Sequence, residues 1–188
     1  MSCDPATRPP SAPRWPLGIA LALVVALVVG VLIAAAVARN QSPDPLRLVA
    51  LPAPSATSTD CARLLGALPA TLDGGQMGGL PRRQLAAPAP AGAAGWGQPP
   101  VVLRCGLARP AELTPTSRLL DVSGVQFLEI PAPETGRETG RETNSWVAVD
   151  RPVYVAVALP PASGSGPLQQ LATVIGNTLP QRDVDVSS

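Results

Sequence analysis

Hydrophobic residues along this 188-residue chain follow three patterns. Residues 17–38 form an unbroken apolar run, LGIALALVVALVVGVLIAAAVA, without a charged side chain. Further on, several short segments alternate apolar and polar positions with the period of two that is typical of β-strands. Two other segments repeat apolar residues at helical spacing. The patterns predict one helix of membrane length followed by a small domain of mixed helices and strands.

The apolar run from Leu17 to Ala38 would form a helix about 33 Å long, enough for a hydrocarbon core of about 30 Å. Two interpretations compete for it. One is an uncleaved signal anchor, assigned to residues 16–38; the other is a secretory signal cut after Ala38, where Ala36-Val37-Ala38 fits the cleavage pattern. The run exceeds the roughly 7–15 residues of a usual signal peptide core, which favours the anchor.

An N-terminal span of this kind usually acts as an export signal, although arginines before and after the run are nearly balanced in number. The expected protein is therefore a single-pass protein of the cell membrane with an extracytoplasmic C-terminal domain. Residues 1–15 form a cytoplasmic tail, residues 39–57 a Pro-rich stalk, residues 58–180 the domain, and residues 181–188 a disordered tail.

The predicted domain begins and ends with a helix. Ser58-Thr59-Asp60 supply N-cap residues to the first, whose apolar face consists of Cys61, Leu64, Leu65 and Leu68. The second helix opens at Pro167, and its apolar face consists of Leu168, Leu171, Val174, Ile175 and Leu179. Each helix has one apolar stripe, so both should pack on the same face of a sheet.

Strands are predicted between these helices. They are Val101–Cys105, a strand within Leu119–Ile130 that bends at Ser123-Gly124, Trp146–Val149 and Val153–Leu159. Residues 69–100, rich in Gly, Pro and Ala, are expected to form a long loop, and the ETGR repeat at residues 134–143 an exposed hairpin loop. The predicted fold class is α+β, a small two-layer sandwich of an antiparallel sheet with two helices on one face.

The three cysteines bear on the compartment. Cys3 precedes the apolar run and should be reduced. Cys61 and Cys105 follow it, and an exported domain offers them one intramolecular pairing, so a Cys61–Cys105 disulfide is predicted. The alternative is two buried free thiols that act as small apolar side chains.

Composition removes several function classes. The chain contains no His, which excludes His-based general base catalysis and His-ligated metals. Net charge is +1, aromatic residues are 3%, and no basic patch is visible, so no nucleic acid partner is expected. No metal and no cofactor are predicted either.

The candidate binding residues are Trp96 and Arg104, beside the long Gly/Pro loop. Trp96 could form a platform for a ligand, or it could cap the core. Arg104 has the geometry to bind a carboxylate or phosphate group of a partner. Its structural alternative is a pairing with a carboxylate on the sheet surface.

Several motifs are similar to those of an actinobacterial family known as domain of unknown function 3515. They are DCARLLGALP, WGQPPVVLRCG, SGVQFL and RPVYVAVALP, within residues 60–180. The resemblance implies an N-terminal signal or span and a cysteine pair at positions 61 and 105. It implies no catalytic residues.

Three functions are compatible with these features. The first is a non-catalytic binding or accessory module of the cell envelope, whose partner is an envelope protein or a cell-wall component. The second is an envelope enzyme acting on cell-wall precursors or polysaccharide, for which the available carboxylates are Asp73, Glu112, Asp121, Glu129 and Asp150. The third is an accessory role in a membrane complex, with the small residues of the span, such as Gly30, at a helix interface.

Overall fold

The computed structural model describes residues 23–33, 44–75, 78–131 and 143–186. The chain divides into two compact units, Met1–Pro43 and Asp44–Ser188. In the first unit, residues 23–33 are helical (α1) and exposed. Within the described residues, no helix is both long and apolar enough to span a membrane. The predicted span extends beyond the described residues at both ends, and Cys3 and the tail of residues 1–15 lie outside them.

The second unit contains one six-stranded antiparallel sheet of order β3-β4-β8-β7-β6-β5 and a separate pair, β1-β2. Its elements in chain order are α2 (Thr59–Ala67), β1 (Thr71–Asp73), β2 (Gly79–Pro81), β3 (Ala93–Trp96), β4 (Val101–Leu107), β5 (Leu119–Val122), β6 (Val125–Ile130), β7 (Asn144–Ala148), β8 (Tyr154–Leu159), a 3₁₀ turn (Pro161–Ser163) and α3 (Gly166–Thr178). The predicted α+β class with an antiparallel sheet is confirmed.

Both helices begin as their sequences predict. Ser58 is the N-cap of α2, and its hydroxyl oxygen accepts a hydrogen bond from the backbone N–H of Cys61 at 3.3 Å. In α3, Pro167 occupies the first turn, where its missing N–H leaves no intrahelical bond unmade. Buried residues of both helices, among them Leu64 and Leu171, belong to one core cluster on one side of the sheet.

Strand β4 forms the floor of that core. Val101, Leu103 and Cys105 alternate along it and are fully buried. Cys105 is joined to Cys61 of α2 by a disulfide with a Cα–Cα distance of 5.7 Å, which confirms the predicted pairing. The bond therefore links the first helix covalently to the second strand of the main sheet.

The segment of residues 69–100 differs from the expected loop, because it contains β1, β2 and β3. These strands have only three or four residues each, and glycine and proline obscure their alternation. Pairing with the next strand in the chain stabilises them: β1 pairs with β2, and β3 pairs with β4, with Trp96 opposite Val101. Propensity within the segment gives no sign of that pairing.

Residues Leu119–Ile130 form two strands joined by a tight hairpin, where a single bent strand was expected. Ser123 and Gly124 have φ angles of 53° and 76°. Two consecutive positive φ values are what a two-residue type I′ turn requires, and such a turn reverses the chain. Val122 and Val125 are consequently paired across the turn.

The second face of the sheet carries another apolar cluster, formed by Leu113, Leu128, Val147, Val149 and Ala156. Val184 and Val186, from the predicted C-terminal tail, pack against it. The backbone N–H of Arg182 donates to the carbonyl of Asp150 at 2.9 Å. Residues 181–186 are thus bound to the domain, which reaches beyond the boundary at residue 180 drawn from the sequence.

The predicted stalk is also partly attached to the domain. The backbone N–H of Leu46 donates to the carbonyl of Gln84 at 2.8 Å, and that of Ser55 donates to the carbonyl of Gly106 at 3.0 Å. Residues 44–57 consequently belong to the second compact unit. Most of the ETGR repeat, residues 134–142, lies outside the described residues.

We predict that Gly106→Ala destabilises the domain by at least about 2 kcal/mol. Gly106 has a φ of 80°, and an added Cβ would lie 2.3 Å from the backbone of Ser55 and Ala56. The matched control is Gly66→Ala, because this helical position has open space around it, and there we expect stabilisation of about 0.5–1 kcal/mol. Chemical denaturation of both variants provides the measurement; equal stabilities would contradict the expectation.

Replacement of both Cys61 and Cys105 by serine should lower the free energy of unfolding by about 4 kcal/mol, because the cross-link closes a loop with a sequence separation of 44. Peptide mapping of chain prepared with its free thiols blocked should recover the two cysteines as one linked peptide. Recovery of both as alkylated thiols would show that the bond does not form in the cell.

Candidate functional site

A groove of about 640 Å³ lies on the helix side of the main sheet, at the end where α3 begins. We call it the Trp146 groove. Its volume lies within the range of about 300–1,000 Å³ that is usual for ligand sites. Its walls come from β5 and the following turn, the start of β7, the end of β8, and the first turn of α3. The lining residues are Leu120, Asp121, Val122, Ser123, Asn144, Trp146, Leu159, Pro160, Pro161, Gly164, Ser165, Leu168 and Gln169.

The position of α3 explains why the groove is open. Trp146 pairs with Glu129 of β6 and Val157 of β8, so its ring lies on the same sheet face as the buried core. However, α3 begins only at Gly166, and its first residues form a wall of the groove instead of a cover. Trp146 is therefore packed against the core on one side and only partly buried.

The groove combines apolar and hydrogen-bonding surface. Leu120 is 49% exposed, and it lines the groove on the β5 side as Trp146 does on the β7 side. Asn144 donates to the Glu129 carboxylate at 3.0 Å, which fixes its amide at the rim. Asp121 is the only charged residue among the described lining residues. Such a site suits a ligand with an apolar part to contact Trp146 and polar groups to meet the rim.

The first predicted binding residue, Trp96, lies in the core. It is fully buried in β3, and its indole N–H donates to the carbonyl of Pro69 at 3.0 Å. The guanidinium of Arg82 lies 5.8 Å from the ring centroid. Trp96 therefore has the structural position that was its alternative in the sequence, and its ring offers no surface to a ligand.

The second predicted residue, Arg104, lies on the other face of β4. Its guanidinium donates to the carbonyl of Val49 at 2.7 Å, and burial lowers its pKa. The described contact is thus with the backbone of the 44–57 segment, where the structural alternative had named a carboxylate. Since side chains alternate between faces along a strand, Arg104 and Trp96 point to opposite sides of the sheet. The structure does not bring them together.

Among the acidic residues named from the sequence, Asp150 is buried beside the turn that borders the groove. It is 1% exposed and pairs with the Arg151 guanidinium at 2.9 Å. Arg151 also donates to the carbonyl of Gly124 at 2.8 Å. Because Gly124 lies in the β5–β6 turn, this buried pair positions the hairpin that forms one groove wall. Asp73 and Glu112 do not line the groove.

The signal that could have indicated the groove is Trp146 itself. The sequence placed it at the start of a strand, which is correct to within two residues. Its partial exposure depends on where α3 starts relative to β7, and these elements are about 20 residues apart in the chain. Among the described residues, no group of three or more His, Cys, Asp or Glu side chains could hold a metal ion.

The fold and groove describe a small disulfide-linked α+β domain without a recognisable catalytic set among its described residues. A family model described as protein of unknown function (DUF3515) matches residues 21–184, and the chain belongs to this family. Comparison with curated proteins and with solved structures finds no match.

The buried Asp150 should make stability depend on pH. Desolvation by burial raises the pKa of Asp150 above 3.8, and this outweighs the lowering by the Gln126 backbone N–H and the Arg151 guanidinium. The folded state therefore binds a proton that the unfolded state releases, and stability falls as pH rises from 3.8 through the folded-state pKa.

Denaturation of the wild type and of Asp150→Asn between about pH 3 and pH 7 measures this dependence. The wild type should lose stability relative to Asp150→Asn, which lacks the titrating carboxyl group, as the pH rises. A difference that stays constant, or that grows in favour of the wild type, would show that pairing with Arg151 outweighs desolvation.

Proposed function

We propose that this protein is a membrane-anchored, extracytoplasmic, non-catalytic binding or accessory module of the cell envelope, and that the Trp146 groove is its binding site. The anchor is the N-terminal apolar run. The partner is an envelope protein or a cell-wall component.

Two features support the location. The run of residues 17–38 has no charged side chain, and its described part, residues 23–33, is helical with exposed apolar side chains such as Leu27 at 69%. Exposed apolar surface all around a helix is suited to lipid. The Cys61–Cys105 disulfide belongs to an oxidising compartment, since thiols in the cytosol are usually kept reduced.

One observation carries the choice of site. Trp146 is partly exposed in a concave surface, whereas the other tryptophan of the described core, Trp96, is fully buried. Tryptophan is enriched at the energetic centres of binding surfaces because it offers a large rigid contact area with a hydrogen-bond donor. With Leu120 on the β5 wall, the groove provides the apolar surface and polar rim of a binding site.

The alternative of an enzyme on wall polysaccharide has less support. Glycoside hydrolysis usually employs two carboxyl groups on either side of the scissile bond. Among the described lining residues, Asp121 is the only acid, and its carboxylate accepts a hydrogen bond from the backbone N–H of Gly124 at 3.2 Å. This interaction suits a turn-stabilising role.

The test is site-specific photo-crosslinking of the full chain in its native membrane. A photoreactive residue at Leu120 should give one discrete adduct, because this side chain lies at the groove. The same residue at Arg63, which is 55% exposed on α2, is the control and should give none. Trp146→Ala should reduce the Leu120 adduct about tenfold or more, since loss of a central aromatic contact costs about 2 kcal/mol or more.

Folding of the Trp146→Ala variant is verified by recovery of the Cys61–Cys105 linked peptide. Equal adducts from Leu120 and Arg63, or an adduct that Trp146→Ala leaves unchanged, would refute the groove as the binding site.

A further inference from the structure

The two edges of the six-stranded sheet differ. The edge at β3 is covered, because the backbone N–H of Arg83 donates to the carbonyl of Gly95 at 2.8 Å and that of Gly97 to the carbonyl of Pro81 at 3.0 Å. The other edge is β5, which pairs only with β6 in the described part of the chain. β5 is also a wall of the Trp146 groove.

The register of the β5–β6 hairpin shows which backbone groups of β5 are free. Val122 and Val125 flank the two-residue turn and form its hydrogen-bonded pair, and pairs of this kind alternate along an antiparallel ladder. The N–H and C=O groups of Val122 and Leu120 therefore point toward β6. Those of Leu119 and Asp121 point outward, and no backbone partner for them exists among the described residues.

We propose that β5 binds an extended peptide segment as a seventh strand of the sheet, with one of its side chains against Leu120 at the edge of the Trp146 groove. This inference rests on the proposed binding function and specifies the partner as a polypeptide. Addition of a strand to a free edge provides main-chain hydrogen bonds for affinity and pockets for alternate side chains for specificity.

The sheet face to which each β5 side chain points determines which residue type the peptide should have opposite it. Leu120 lies opposite the fully buried Phe127, so it points to the helix side of the sheet, where the groove is. A peptide residue opposite Leu120 points the same way, and it should be apolar in order to cover the exposed Leu120 side chain at the edge of the groove.

Charge complementarity determines the residue type at the neighbouring position of the peptide, opposite Asp121. Asp121 is exposed on the opposite face of β5, and it is the one charged residue among the described groove residues. The peptide residue opposite Asp121 shares its face and should be basic, because directly opposed charges of opposite sign stabilise a strand pair. An arginine or lysine followed by an apolar residue is therefore the recognised pattern.

The probe is the synthetic peptide acetyl-Thr-Val-Arg-Leu-Thr-Val-Thr-amide, tested on the detergent-solubilised full chain. Bound antiparallel, it places Arg opposite Asp121 and Leu opposite Leu120. Hydrogen exchange of the Leu119 and Asp121 amides should slow about tenfold or more at saturation, because these amides gain partners. The Leu120 and Val122 amides already donate to β6 and should change little.

Two N-methylated peptides separate backbone pairing from side-chain contact. In the first peptide, the backbone amides of Arg and of the Thr directly after Leu are methylated. Both amides face β5, so this methylation should abolish binding. Methylation of the Leu amide, which faces away from β5, leaves the same side chains and should preserve it. Equal binding of the two methylated peptides would overturn the proposal.

The matched protein variant is Asp121→Asn, which keeps an oxygen able to accept from Gly124. It should weaken binding of the Arg peptide about threefold, as expected for an exposed ion pair, and should not affect a peptide with Thr in place of Arg. An unchanged affinity for the Arg peptide would remove the basic position from the recognised pattern.

Three further outcomes contradict the proposal. Binding without slower exchange at Leu119 and Asp121 would show that the peptide does not pair with β5. Slower exchange that requires no peptide and grows with protein concentration would identify a second copy of this chain as the occupant. Quenching of Trp146 fluorescence by a cell-wall oligosaccharide, with no peptide binding, would overturn this inference but leave the proposed function standing.

Discussion

Burial of one face of the six-stranded sheet under two short helices determines the rest of this structure. Helix α3 has 13 residues, is about 20 Å long, and contacts β5, β6 and β8 of this sheet. Helix α2, with nine residues, covers the β4 side and is held there by the Cys61–Cys105 bond. The helices together do not cover the whole face, and the uncovered part is the Trp146 groove.

The opposite face is covered without regular structure. Residues 44–57 cross near β3 and β4, where Arg104 donates to the carbonyl of Val49, and Val184 and Val186 pack near β6 to β8. A chain with 46% hydrophobic but only 3% aromatic residues must fill its core with many small side chains. Proline-rich extended segments suit this task, because they lie flat against a sheet and lose little entropy on ordering.

The sequence was sufficient to predict an element where the residues of that element show a clear apolar period or a typical capping residue. The alternation in β4 and the apolar stripe of α3 predicted those elements, and the N-cap at Ser58 was identified by residue type. Short strands that are stabilised by pairing with the next strand were missed, and so was one tight turn. β1 to β3 are too short to show a period, and Ser123-Gly124 was interpreted as a bend because a positive φ at serine is uncommon.

The candidate site shows the same division. Trp96 and Arg104 were grouped because they are close to each other in sequence, but their faces depend on the register of β3 with β4, which places Ala93 opposite Arg104 and Trp96 opposite Val101. The disulfide could be predicted because, in a domain expected to be exported, two cysteines have a single pairing available. The groove could not, since its walls come from strands and a helix whose relative positions result from packing.

The buried pair of Asp150 and Arg151 connects the core to the groove. Replacing such a pair by apolar residues is often neutral or stabilising, so its presence is better explained by position than by stability. Arg151 reaches the Gly124 carbonyl in the β5–β6 turn, and the backbone carbonyl of Asp150 accepts from Arg182. One charged pair thus links the turn to the C-terminal segment. It fixes the orientation of β5, the short strand on which both the groove and the free edge depend.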